Sequence, residues 1–122
     1  MTHKQAASMV AWLQGVLGIE DWSFSVLIQD ESPDWAGETG VFAGACNAVP
    51  SYKKATIWIS PSHCAMDEGC TPENTLCHEV LHVMARDANM EDHDAGVSHE
   101  NEFCWTRIGN LLADAYAAKV MR

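Results

Sequence analysis

Apolar positions recur along this chain with two different periods. Between residues 3 and 17, Ala6, Met9, Val10, Leu13, Val16 and Leu17 return every three to four positions, the spacing of one helical face. Thr2 followed three residues later by Gln5 makes a capping-box start, and Gly18 supplies a C-cap. The period then falls to two. Residues 22–29 alternate and are rich in strand formers, 41–49 form a weaker strand thinned by Gly44 and several alanines, and 54–60 form the clearest strand, ended by Pro61. Segment 30–40, with Pro33, Gly37 and several acids, reads as a loop, and so does 61–70.

The helical period returns after Thr71-Pro72-Glu73. Here a capping hydroxyl, a proline at the first helical position and an acid near the positive dipole end start a helix that runs to about residue 88. A polar loop covers 89–97, Ser98 is the next N-cap, and a last helix passes through Ile108, Leu111, Leu112, Ala115 and Tyr116. This order predicts an α+β fold in a single domain over 1–122. An N-terminal helix comes first, then a small, mostly antiparallel sheet, then two further helices.

Composition narrows the function classes. With 48% hydrophobic and 20% charged residues, the chain is neither disordered nor a fibrous rod. Seven basic against 17 acidic residues give a net charge of −10, which repels phosphate backbones and anionic lipid. Only Lys53 and Lys54 are adjacent basic residues, so neither nucleic acid nor membrane is expected as a partner. No apolar run approaches the roughly 18 residues of a membrane helix. The apolar stretch 6–17 carries Gln14 within it and lacks a small-x-small cleavage signal, so it reads as an amphipathic helix. A cytoplasmic monomer is expected. The five cysteines are odd in number and form no C-x-x-C pair, which points to reduced thiols; Cys64 and Cys70 flank one short loop and can pair if oxidised.

The chemistry sits at His78-Glu79-Val80-Leu81-His82, an H-E-x-x-H motif on the helix that Thr71 starts. Residues four apart on a helix differ by about 40° in direction, so both imidazoles face one side and can share a metal ion. Glu79 lies beside them, placed to take a proton from a water on that metal. Zinc in a catalytic site takes three protein ligands and keeps a position for water. Downstream, His93, His99, Glu100 and Glu102 are candidates for the third. His99 and Glu102 lie about 60° apart on the last helix and share a face, whereas Glu100 points about 160° from Glu102 and suits a solvated first-turn acid.

Residues 83–101, the last of them Asn101, separate the histidine pair from Glu102. That arrangement resembles the gluzincins, the thermolysin-like metallopeptidases with a later helical glutamate preceded by asparagine. The whole pattern over 22–116 also resembles the minimal zincins of small bacterial and phage proteins, with 52–59 similar to the strand that leads toward their active-site helix. The resemblance implies that His78, His82 and Glu102 bind Zn2+, that Glu79 is the general base, and that a peptide or protein is the substrate. The chain departs from the thermolysin-like pattern at Thr106, where those enzymes carry an aspartate that buttresses a zinc histidine; Asp87, Asp114 or a backbone carbonyl would have to substitute.

A second resemblance stays open. His99-Glu100-Asn101-Glu102-Phe103 is similar to the SprT-like proteases, in which a histidine starting a helix is the third ligand, although Glu100 stands where that family has glycine. The metzincin pattern fails, since its glycine and third histidine fall at Ala85 and Ala88. Glu102 is preferred over His99, and a non-catalytic, zinc-stabilised binding module is the further alternative. The oxyanion partner is open among His93, His99 and Tyr116. Strand addition of a peptide is expected near Ile57 and Ile59. Met66 and Asp67 are expected at the rim of the site, Gly109 at a close helix crossing, and Trp12, Trp22, Trp58 and Trp105 in the core, with Trp35 exposed.

Overall fold

The computed structural model describes residues 1–36, 43–88 and 99–121, with the side chains of 99–101 and 103 outside that description. The first helix, α1 (His3–Leu17), has the predicted capping box. The Gln5 backbone N–H donates to Thr2 Oγ1 at 3.1 Å, and the Thr2 N–H donates to Gln5 Oε1 at 2.8 Å. Gly18 ends it in the left-handed conformation (φ 71°), where a Cβ would be strained. Three strands follow: β1 (Ser23–Ile28), β2 (Gly44–Val49) and β3 (Lys54–Ile59).

The fold is α+β, as the pattern predicts, but the sheet is mixed rather than mostly antiparallel. Its order is β1-β3-β2, with β1 parallel to β3 (Ser23 opposite Lys54, Ile28 opposite Ile59) and β2 antiparallel to β3 (Gly44 opposite Ile59). The reason lies in the connections. β2 and β3 are joined by a tight turn and form a hairpin, whereas β1 and β2 are far apart in sequence, and β3 inserts between them.

Segment 61–70 also differs from a plain loop, because it holds a short helix, α2 (Pro61–Ala65). Ser60 caps it and Pro61 stands at its start, the same code that Thr71 and Pro72 use for the next helix. Cys64 of α2 is disulfide-bonded to Cys70, with Cα atoms 5.3 Å apart, so these two are not the reduced thiols expected; Cys46, Cys77 and Cys104 take part in no disulfide among the described residues. Asp34–Ala36 forms a 3-10 turn in which Trp35 is exposed.

The long helix α3 (Pro72–Asp87) lies at the centre of the molecule, against β2, β3, α1 and the last helix, α4 (His99–Val120). Ala55, Ile57 and Ile59 of β3 point into one core with Ala6, Met9 and Leu13 of α1 and Leu76, Val80 and Val83 of α3. A smaller cluster of Leu81, Ala85 and Trp105 joins α3 to α4. Trp22, Trp58 and Trp105 are buried, and Trp12 is partly buried against Tyr116. Among the described residues no helix is long and apolar enough to cross a membrane.

Candidate metal centre

Each functional side chain inherits its place from a helix whose position is fixed locally. The Asn74 N–H donates to Thr71 Oγ1 at 3.0 Å and the Thr71 N–H to Asn74 Oδ1 at 2.9 Å, which fixes the first turn of α3. One turn later come His78, Glu79 and His82, side by side and able to hold a metal ion. His82 and Glu79 are buried and His78 is half-buried. α4 approaches closely at Gly109, where a Cβ would meet the His78 backbone nitrogen at 3.2 Å. This is the close crossing that a small residue permits, and it sets how near α4 comes to the histidine pair.

Glu102 of α4 closes the group. Its Oε1 lies 2.5 Å from His78 Nε2 and its Oε2 lies 3.2 Å from His82 Nε2; the two Nε2 atoms are 3.1 Å apart. Glu79 also offers a carboxylate, within 4.8 Å of the imidazole nitrogens, but Glu102 is the closer acid and contacts both rings. A tetrahedral ion bound at about 2.0–2.1 Å spaces its ligand atoms by about 3.3 Å. Two of the three separations fall close to that value, so the donor set fits a small divalent ion.

Thr106 strengthens the fit. Its hydroxyl donates to the Glu102 carbonyl oxygen at 3.0 Å and lies 3.3 Å from His78 Nδ1. A carbonyl oxygen only accepts, so Nδ1 must carry the proton that bonds back to Thr106 Oγ1. Nε2 of that ring faces Glu102 Oε1 at 2.5 Å, a spacing that needs a proton or a cation between the two atoms. Thr106 thus occupies the buttressing position, one helical turn after Glu102, with a hydroxyl in place of a carboxylate.

The two carboxylates have opposite electrostatics. Burial raises the proton affinity of Glu79, and the nearby Glu102 adds to this; His82, His78 and a hydrogen bond from the Cys46 thiol oppose it. Hydrogen bonds from His78 and His82 hold Glu102 well below the usual carboxylate range. Cys46 carries no sequence signal beyond that of a buried thiol. Strand alternation relates it to Gly44, whose Cβ position faces Glu79 Cγ at 3.7 Å.

A cleft of about 450 Å³ opens onto this group, with His78, Glu79, Glu102, Thr106 and Gly44 in its wall. Asp67 lines it as expected, and Glu68 joins Asp67; Met66 is exposed and is not part of the wall. Two expectations are corrected. Tyr116 packs on Trp12, with ring centroids 5.3 Å apart, and is not in the cleft wall, so it does not serve as an oxyanion partner. The strand at Ile57 and Ile59 is central and paired on both sides, so the strand edge beside the site belongs to β2. His93 and the side chain of His99 lie outside the described residues. Compared with known proteins, the chain matches no family model, no curated protein and no solved structure.

Proposed function

We propose that the protein is a zinc-dependent metallopeptidase of the minimal zincin type, with His78, His82 and Glu102 as metal ligands and Glu79 as general base. The observation that carries the reading is the convergence of two imidazole Nε2 atoms and one carboxylate within 3.2 Å of one another, beside a second, buried carboxylate. When bound, the ion supplies Lewis-acid polarisation of a scissile carbonyl and activation of a water. Glu79 takes the proton of that water on its carboxylate and delivers it to the leaving amide nitrogen; its raised proton affinity suits both halves of the task. Glu102, held ionised, suits a permanent ligand. Thr106 keeps Nε2 of His78 turned to the site. The β2 edge offers backbone donors and acceptors to an extended peptide, and Gly44 keeps that edge close to Glu79.

Elemental analysis of protein purified without added metal tests the reading, with about one zinc per chain expected. Glu79→Gln should keep the metal and lose hydrolysis of a peptide library, whereas His78→Ala should lose both. Folded protein that takes up no zinc, or a Glu79→Gln variant as active as the parent, would contradict it.

A further inference from the structure

The charged side chains in the cleft wall are acidic apart from His78: Asp67, Glu68, Glu79 and Glu102, with no lysine or arginine among them. A bound divalent ion would balance two of these charges, those of Glu79 and Glu102. The negative charge of Asp67 and Glu68 is left over. Both side chains are exposed, and no ion pair joins either to another of the described residues. Their backbone is nevertheless firmly held. The Cys64–Cys70 disulfide closes the segment, the Asp67 N–H donates to the Cys64 carbonyl at 3.2 Å, and the Cys70 N–H donates to the Asp67 carbonyl at 3.1 Å. Gly69 turns the chain at φ 83°, and Asn74 Nδ2 bonds its carbonyl at 2.8 Å, tying the segment to α3 one turn before His78.

We propose that this disulfide-closed segment is the specificity wall of the cleft, and that Asp67 and Glu68 select peptides carrying a lysine or arginine side chain. The proposal rests on the metallopeptidase reading above and names the substrate class of that site. Two uncompensated carboxylates in a concave wall concentrate their field on whatever enters it. Because the disulfide and Asn74 already order the backbone beneath them, a cationic side chain meets acceptors that lose little freedom on pairing.

The test uses zinc-loaded Glu79→Gln protein, which holds peptide without turning it over. Three fluorescent alanine-rich octapeptides differ only in a central Lys, Gln or Glu, and binding is followed by anisotropy at low salt. The Lys peptide should bind about tenfold tighter than the Glu peptide, the sum of two modest exposed ion pairs. The ratio should shrink toward one at about 1 M salt, where the screening length falls to about 3 Å. D67N together with E68Q, amide swaps at exposed positions that should leave the thermal midpoint in place, should erase the ratio at low salt. Equal binding of the three peptides, or a ratio that survives the amide swaps, overturns the proposal while the metallopeptidase reading stands. If none of the three binds the zinc-loaded protein, that reading falls, and the selectivity with it.

Discussion

Helices α3 and α4 each contribute to the same cluster, yet they are built in opposite ways. α3 starts at a capping box, touches the sheet on one side and both long helices on others, and buries residues around most of its circumference. α4 leans mainly on α3. Trp105 and Gly109 face inward, while Cys104, Ile108 and Leu111 stay exposed. The well-packed helix carries the histidine pair and the buried Glu79, where a metal site would need tight placement. The lightly held helix brings a single carboxylate. On the proposed reading, a bound ion would fasten α4 to α3.

Removing the carboxylate should therefore have the largest effect. Glu102→Ala is expected to weaken zinc binding by orders of magnitude and to raise amide exchange along α4 while leaving α3 protected. His99→Ala should spare the metal. Zinc titration by calorimetry and native-state hydrogen exchange check both halves.

Stability should follow the same contrast. Leu81 of α3 is 1% exposed and Leu111 of α4 is 69% exposed. Leu81→Ala should cost about 2–5 kcal/mol through the cavity it leaves. Leu111→Ala should stay within about 0.5 kcal/mol. Urea unfolding of the metal-free proteins measures the two.

A finer test is Thr106→Val, which keeps the shape and removes the hydroxyl. Losing the group that fixes the His78 ring should lower zinc affinity by about tenfold, with an unchanged unfolding midpoint in the metal-free protein.

The smallest effect lies far from the site. Asp30 accepts the Ser62 N–H at 2.9 Å in the first turn of α2, and that bond holds its carboxyl below the ordinary value. A lowered folded value means that the stabilisation is present above the unfolded value, near 3.9, and is lost as pH falls through the folded one. The stability difference between the parent and Asp30→Asn should be present at neutral pH and vanish in strong acid.

What the sequence made legible was local. The starts of α1 and α3 follow from Thr2 with Gln5 and from Thr71 with Pro72, and the two histidines four apart on one helix follow from its period. Glu102 could be assigned a face but not a distance. The strand order was not legible, since β1 pairs with a strand that follows a long connection and a hairpin, and no short-range signal records that choice. α2 escaped because Pro61 after a strand reads as a terminator, and five residues are too few to show a period. The six-residue spacing of Cys64 and Cys70 permits a bond without requiring one. Thr106 read as a missing buttress because a hydroxyl carries no charge to announce itself, although its position one turn after Glu102 puts it on the right face.

The central claim is that one ion joins the rigid helix to the lightly held one through these three side chains. A crystal structure of the zinc-loaded protein with anomalous scattering recorded at the zinc edge tests it most directly. The account predicts one ion bonded to Nε2 of His78, Nε2 of His82 and a carboxylate oxygen of Glu102, each at about 2.0–2.2 Å, with Glu79 unbonded beside it. An imidazole of His99 on the ion with Glu102 turned away, or an ion held elsewhere in the chain, would contradict it.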